Sequence, residues 1–453
     1  MFRKILIANR GEIAVRIIKA CREMGILSTA VYSEADKNSL HVKLADESYC
    51  IGASQAKKSY LDITRIITTA QHAKADAIHP GYGFLAENPS FAKACVNANI
   101  TFIGPSSTAM SSMGDKAIAR QTMKKALVPI VPGTEGLITD IGEAKKIAGD
   151  IGYPVLIKAT AGGGGKGMRV VDNGNELEKA LHQASQEAER SFGNSGVYLE
   201  KYLTHSRHVE IQIMADNYGN AVYLGERDCS VQRRHQKLLE EAPSPVIDET
   251  LRSKMGLAAV AAAKAVKYSG AGTIEFIVDK QKNFYFMEMN TRIQVEHPVT
   301  EMITGTDLIK AQLLVAAGEI LPWTQDDIHI NGWAVECRIN AEDPYNNFMP
   351  CPGTIDIYRP PAGNGIRVDS AMYSGNTITP FYDSMIAKVI VWAPTRDKAI
   401  KKMADALKNF TITGVKTTIS MHRKLLASKD FIAAKIDTNY LEEHLEKILN
   451  KPL

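Results

Sequence analysis

Between Glu288 and Glu296 a polar side chain recurs at every second position: Glu288, Asn290, Arg292, Gln294 and Glu296, separated by Met289, Thr291, Ile293 and Val295. Alternate side chains of an extended strand share a face, so this spacing predicts five polar groups pointing one way. A solvent-facing strand would show the same alternation, but the content points elsewhere. Two carboxylates and an amide suit a hard, oxygen-liking cation. An arginine beside a further carboxylate suits a small anion and a base for it.

A second carboxylate approaches from upstream. Gly272–Val278 and Phe284–Glu288 both read as strands, and the polar stretch Lys280–Asn283 reads as the hairpin loop between them. If Asp279 faces Phe284 across a four-residue loop, Glu275 falls opposite Glu288. Neighbouring carboxylates repel unless a cation or a proton separates them, so Glu275, Glu288 and Asn290 are the expected magnesium or manganese ligands.

The elements that must position these groups begin with the apolar run Lys4–Ala8. Asn9-Arg10-Gly11-Glu12 then turns into a helix with Ile13, Val15, Ile17, Ile18 and Cys21 as its periodic apolar residues. Strand patterns follow at Ser28–Ser33, Glu47–Ile51, Ala77–His79 and Ile100–Gly104, with helical patterns around Asp62–His72 and Asn88–Ala98. Such alternation implies a parallel α/β sheet. The first turn offers only Gly11 where a dinucleotide fingerprint needs three glycines, so the expectation is a Rossmann-like scaffold without that cofactor. The loop Pro80–Asn88 either lines a crevice at the sheet edge or is a plain turn.

Farther on, a basic helix starts near Lys116 and runs to Lys125, and another is expected around Ile141–Ile151. Between the apolar runs 154–159 and 168–171 stands Gly162-Gly163-Gly164-Gly165-Lys166-Gly167. Glycines let backbone amides approach phosphate oxygens. The loop is not a Walker A motif, since Thr160 replaces its first glycine and Gly167 follows the lysine. Strands on both sides, with Lys158 and Lys166 nearby, predict a flap over phosphates instead of a linker. Glu176–Arg190 reads as a helix and Val197–Leu203 as a strand. In His208–Ile213 the residues His208, Glu210 and Gln212 share a face. Gly225–Lys237 is dense in cations and donors, which alone suggests a solvated loop and beside the carboxylate strand suggests an anion-binding wall. An Ala-rich helix spans Glu249–Lys267. Trp333–Asn340 alternates Glu336, Arg338 and Asn340 with apolar residues, Ala387–Trp392 is a strand, and Thr395 caps a helix burying Ile400, Met403, Ala406 and Leu407. Phe410–Ile419 reads as a turn and strand, and the tail as charged helix.

Composition bounds these readings. A chain of 453 residues suggests two or three domains, and 45% apolar content is ordinary. A net charge of +4 is too slight to make nucleic acid the main ligand. The six cysteines (Cys21, Cys50, Cys95, Cys229, Cys337, Cys351) include no Cys-x-x-Cys pair, so neither a zinc site nor a disulfide framework is indicated. No signal peptide and no membrane-length apolar run is evident. The expectation is a soluble protein of a reducing compartment.

These residues carry a family resemblance. The lysine pair, the glycine flap, the Glu200-Lys201-Tyr202-Leu203 strand and the Glu275/Glu288/Asn290 cluster resemble the ATP-grasp fold. Within it, Asn9–Ala14, His79–Asn88, Lys158–Gly167, Glu226–Ser230 and Glu288–Glu301 resemble biotin carboxylase, with no departure in these stretches and a match over essentially the whole chain. The resemblance implies an α/β chain (α+β in its C-terminal part). It would comprise an N-terminal Rossmann-like domain at 1–113, a linker helix at 114–129, a mobile lid at 130–203 and a C-terminal domain at 204–453.

It also implies roles. Lys116, Lys158, Lys166 and the Gly162–Gly165 flap would hold ATP phosphates; Glu200, Leu203 and the Lys201 backbone would frame adenine; His208, Gln232 and His235 would contact ribose or phosphate. Glu275, Glu288 and Asn290 would hold Mg²⁺ or Mn²⁺, two ions in all. Lys237, Arg292, Gln294 and the Val295 backbone would hold bicarbonate, Glu296 would take its proton, and Arg338 would stabilise the enolate-like oxygen of biotin. No Met-Lys-Met hairpin is present; Thr122-Met123-Lys124-Lys125 is the nearest approach and reads as helix. The expected protein is therefore one cytoplasmic, homodimeric component that works on a separate biotin carboxyl carrier protein, with a separate carboxyltransferase. The resemblance favours acetyl-CoA carboxylase, leaves pyruvate or propionyl-CoA carboxylase open, and sets another ATP-grasp ligase as the alternative.

Overall fold

Ile5, Leu6 and Ile7 are all fully buried, as a strand covered on both faces requires. They belong to β1 (Lys4–Ile7), the centre of a parallel sheet with β2 (Leu27–Tyr32), β3 (Glu47–Cys50), β4 (Ala77–His79) and β5 (Thr101–Phe102) in the order β3-β2-β1-β4-β5. The computed structural model describes residues 1–134, 136–160 and 168–450. Sheet order reverses between β1 and β4, where crevices form beyond the strand ends. There Asn9 donates its amide to the carbonyls of Pro80 and Tyr82, both at 2.7 Å. Gly81 has φ +63°, and a Cβ on it would stand 3.0 Å from the Asn9 amide, so glycine is required for this approach. The loop after β4 is thus a built edge of a crevice.

Three antiparallel strands, β6 (Val155–Ala159), β7 (Met168–Val171) and β8 (Val197–Lys201), pair in the order β7-β6-β8. The helices Ile141–Ile151 and Gly174–Phe192 cover them around a core of Ala144, Val155, Ile157, Leu177 and Leu199.

The largest sheet is wholly antiparallel, built from β9 (Arg207–Ala215), β10 (Ala221–Arg233), β11 (Gln236–Ala242), β12 (Gly270–Val278), β13 (Phe284–Asn290), β14 (Trp333–Asn340), β15 (Ile366–Ser370) and β16 (Met385–Ala393). Its order is β13-β12-β9-β10-β11-β14-β16-β15. Helix Glu249–Ala265 buries Met255, Ala259 and Ala263 against Ile211, Ile213 and Ile274. Helix Arg396–Asn409, capped by Thr395, buries Ile400, Met403, Ala406 and Leu407 against Val335, Cys337 and Val389. Each such large aliphatic contributes about 1.5–3 kcal/mol. Helix Gly11–Glu23 packs Ile13, Ile17 and Ile18 on the flank of this sheet, beside Met214 and Leu308, which fixes the parallel unit against the antiparallel one. Phe410–Ile419 keeps only a two-residue strand, Thr411–Ile412, before a helix begins at Ile419.

Candidate active site

The hairpin reaches its expected pairing by a different route. Asp279–Asn283 form the loop, one residue longer than the sequence suggested, with the Asp279 carboxylate accepting from the Gln281 and Asn283 amides at 2.9 and 2.8 Å. Val278 therefore faces Phe284. A bulge at Met287 restores the register, so Glu275 does pair with Glu288.

The strand does not continue to Glu296, which corrects the five-residue alternation. It ends at Asn290, and the chain runs irregularly to a helix at His297–Thr304. Pro298, which has no N–H to donate, sits in the first turn, where none is needed. The groups still converge, held by hydrogen bonds instead of pleat. Glu87, from the loop after β4, accepts from the Thr291 amide at 2.9 Å and from Arg292 Nε at 2.8 Å. Arg292 also donates to Gln294 Oε1 (2.8 Å) and Asn290 Oδ1 (3.1 Å). Gln294 and Asn290 donate to Glu275 Oε1 at 3.1 and 2.8 Å.

At the centre stands Lys237, whose ammonium meets Glu210 at 2.6 Å, Glu275 at 2.8 Å and Glu296 at 2.7 Å. Its three N–H donors match three carboxylates. Burial disfavours this charge, yet the three acids raise Lys237 well above the ordinary lysine range. Burial works to raise Glu296, but Lys237, Arg338 and Arg227 hold it well below the usual carboxylate range. Arg338 donates to Glu296 Oε2 at 2.9 Å and to Glu240 Oε1 at 2.6 Å. His208 stands 3.0 Å from Glu275; burial would lower it, and Glu275 raises it on balance. Glu210 is held from behind by the fully buried Arg227, which also bonds Gln212, Thr273 and Thr300.

Farther along the cleft, Glu200 accepts from Lys158 and Arg120, both at 2.6 Å. Lys201 turns its ammonium to the carbonyls of Gly152 and Tyr153. Lys116 opens the helix Lys116–Lys125, which Asp115 caps. One cleft of about 1570 Å³ is lined by every described candidate: Lys116, Lys158, Glu200, Lys201, Leu203, His208, Gln232, His235, Lys237, Glu275, Glu288, Asn290, Arg292, Gln294, Val295, Glu296 and Arg338. Gly162, Gly163, Gly164, Gly165 and Lys166 lie outside the described residues.

Glu275, Glu288 and Asn290 fit a hard cation. Glu288 is open to the cleft, and the surrounding protein followed by the Glu275 charge pushes its carboxyl up against the pull of Lys116, so a bound cation would favour its ionised form. Asn290 points its amide nitrogen at Glu275, so its oxygen becomes a ligand only when the amide reverses. Two further groups bring ligand atoms within 4.8 Å, His208/Glu210/Glu275 and Glu210/Cys229/Glu296. Lys237 and Arg227 already supply the positive charge there.

Sequence reasoning missed Glu87, Arg120, Arg227, Glu240 and the fully buried Lys388, which donates to the Val295 carbonyl at 2.7 Å. A lone lysine in the apolar run Ile386–Trp392 was the available signal. Gly225–Lys237 is not a loop: residues to Arg233 form β10, largely buried, and only Arg234 and His235 make a turn. Its charges pair inward, as Arg252 with Glu226 and Arg207 with Asp228.

A crevice-bearing parallel unit joined to a small three-stranded unit and a carboxylate-lined antiparallel sheet defines the ATP-grasp class of ligase. Three family models match: biotin carboxylase, N-terminal domain, over residues 1–110; carbamoyl-phosphate synthase L chain, ATP binding domain, over 115–324; and biotin carboxylase C-terminal domain over 336–443. Biotin carboxylase 1 of Bacillus subtilis is 60% identical over 445 residues, 98% of this chain and 99% of that protein. A pyruvate carboxylase subunit of Methanothermobacter thermautotrophicus is 54% identical over 98% of this chain and 90% of its own length. The biotin carboxylase domain dimer of Hydrogenobacter thermophilus 2-oxoglutarate carboxylase, solved with MgADP, ADP and bicarbonate, superposes with a TM-score of 0.94 at 52% identity, covering 100% of both chains. The chain belongs to the biotin carboxylase family.

Proposed function

We propose that this cleft carboxylates biotin, presented on a separate carrier protein, with bicarbonate and ATP. The observation that carries the reading is Glu296, fully buried and ionised between Lys237 and Arg338, in the same cleft as Lys116, Lys158 and Glu200. Lys116, Lys158 and Lys166 with the Gly162–Gly165 flap bind phosphates, Glu200, Lys201 and Leu203 frame adenine, and His208, Gln232 and His235 meet ribose or phosphate. Glu275, Glu288 and Asn290 hold Mg²⁺ or Mn²⁺, which neutralises phosphate charge.

Lys237, Arg292, Gln294 and the Val295 backbone hold bicarbonate beside Glu296. An anion that shares Lys237 draws off part of the charge keeping Glu296 ionised, so Glu296 becomes a better base when substrate arrives. Bicarbonate, its proton passed to Glu296, attacks the γ-phosphorus and gives carboxyphosphate and ADP. Carboxyphosphate then yields CO₂ and phosphate, that phosphate takes the ureido proton while Arg338 steadies the enolate-like oxygen, and the freed ureido nitrogen bonds to the carbon of CO₂ to give carboxybiotin. A closed, dry site protects the labile intermediate.

The fuller reading is a cytoplasmic homodimer of acetyl-CoA carboxylase with a separate carboxyltransferase, supplying malonyl-CoA for fatty acid synthesis. It keeps the division at 113, 129 and 203, with 130–203 as lid. Dimerisation is supported by the Hydrogenobacter thermophilus dimer and the reducing setting by six free cysteines. Similarity to a pyruvate carboxylase component leaves the acceptor as the point to measure. The test is ATP hydrolysis with magnesium and labelled bicarbonate, with and without biotin. Biotin-stimulated turnover and acid-labile label in biotin are expected. Bicarbonate-dependent hydrolysis that ignores biotin, and the native carrier too, would overturn the reading.

A further inference from the structure

Behind Arg338 lies a pair of acids that the proposed reaction does not use. Glu240 on β11 and Glu336 on β14 are register partners in an antiparallel ladder, and both are fully buried. Partners of this kind place their side chains together on one face, about 5 Å apart at Cβ. Arg338 Nε donates to Glu240 Oε1 at 2.6 Å. Among the described residues, Glu240 Oε2 and both oxygens of Glu336 have no hydrogen-bond partner.

Buried carboxylate oxygens demand donors. The cations facing the pair do not reach these three oxygens: Arg338 spans Glu240 Oε1 and Glu296, Lys388 holds the Val295 carbonyl and Glu12, and Lys237 binds three other acids. A single proton resolves the conflict. On Glu336 it makes a neutral acid, which can donate to the orphaned Glu240 oxygen. Glu240 then stays ionised and keeps its grip on Arg338.

We propose that Glu336 is a carboxylic acid in the resting enzyme, sharing its proton with Glu240, and that the pair positions Arg338 against Glu296. Burial, followed for Glu336 by the Glu240 charge against the pull of Lys388, holds its carboxyl well above the ordinary range. Burial pushes Glu240 up to about 7, with Glu296 adding to the effect and Arg338 opposing it. Loss of the shared proton leaves two buried carboxylates competing for one guanidinium. Arg338 is then drawn from Glu296, and turnover falls on the alkaline side. Only this last consequence rests on the proposed reaction.

Melting temperature against pH tests the proton itself. A carboxyl whose pKa is raised by folding contributes stability that is complete below its unfolded value and is lost as pH rises through the folded one. Wild type loses this contribution with rising pH, whereas the amide in Glu336→Gln cannot. The variant's melting temperature relative to wild type should therefore climb, by about 3 °C between roughly pH 5 and 9. A flat or falling difference overturns the proposal. So does a variant that fails to fold, because an amide has the size of the neutral acid it replaces. For positioning, Glu240→Gln should lower kcat about tenfold with little change in KM for ATP, and Glu336→Gln should move the alkaline limb of kcat to higher pH. An unmoved limb, or equal loss of ATP affinity, overturns the coupling to Arg338. Absence of biotin-dependent turnover in wild type would instead remove the proposed reaction and leave the melting result standing.

Discussion

Glu87→Ala removes the tie between the loop after β4 and the turn that follows β13. Glu87 accepts from the Thr291 amide at 2.9 Å, from the Thr291 hydroxyl at 3.3 Å and from Arg292 Nε at 2.8 Å. Its side chain is 39% exposed and that of Arg292 19%. A buried hydrogen bond to a charged group is worth about 1.5–3 kcal/mol, an exposed ion pair about 0–1 kcal/mol. This half-open pair falls between, at about 1.5 kcal/mol, which corresponds to about tenfold in an equilibrium or rate. Arg292 keeps its contacts to Gln294 and Asn290, so the loss is one of orientation. The expected result is a bicarbonate KM raised about tenfold in the hydrolysis assay, with KM for ATP nearly unchanged, since the lysines and Glu200 at the far end are untouched. Glu87→Gln, which keeps an acceptor for Thr291 but loses the charge beside Arg292, should fall between. An unchanged bicarbonate requirement would refute the reasoning, as would an equal rise for ATP.

Glu296→Gln should lower kcat at least a hundredfold while leaving ATP affinity, read by equilibrium titration, largely intact. Lys237→Met leaves Glu210, Glu275 and Glu296 facing one another without their shared cation. It should destabilise the fold by about 3–5 kcal/mol in chemical denaturation and raise the bicarbonate requirement, and millimolar magnesium should recover part of the stability through Glu275. Three buried histidines fix an acid limit: burial, outweighing Asp36 at His41, Gln312 at His79 and the Arg338 carbonyl at His422, lowers His41 and His422 to about 4 and His79 to about 3. A depressed folded-state pKa gives stability that is present above the unfolded value and lost as pH falls through the folded one. Melting temperature should therefore decline from about pH 6.5 towards 4, and His422→Gln should make that decline shallower.

Local patterns announced the elements whose burial is simple. The five strands of the parallel sheet, the helices that begin near Asp62 and Asn88, the cap at Thr395 and the buried stripe Ile400, Met403, Leu407 follow from apolar spacing and from a side chain that satisfies free amides. Strand β10 escaped because hydrophobic patterning is blind to charge buried in pairs. Glu226, Arg227 and Asp228 read as solvated until Arg252, Glu210 and Arg207, up to 26 residues away, are seen beside them. The Glu275–Glu288 pairing was reached through two errors that cancel, a loop one residue short and a bulge not foreseen. The end of the strand at Asn290 was foreshadowed by Pro298, a first-turn residue seven positions from Thr291.

What stayed illegible in the site has a common cause, the order of strands. Glu210 on β9, Lys237 on β11 and Glu275 on β12 come together because β9 lies between β10 and β12, and β11 folds back along β10. The sequence names each residue's face but not its neighbour. Once the order is given, the chemistry of Lys237 follows from counting: three donors, three carboxylates, and one positive charge against three negative ones. Such a cluster is underneutralised until other cations share it. Arg227 does so for Glu210, Arg338 for Glu296 and His208 for Glu275. Glu275 is also the acid paired with the open Glu288, whose carboxyl the surrounding protein and the Glu275 charge push up, and there the donor set suits a divalent cation. The added negative charge of Glu288 thus stands at the open edge of the cleft, where a nucleotide's counter-ion would enter, and the three acids around Lys237 are met by the protein's own cations.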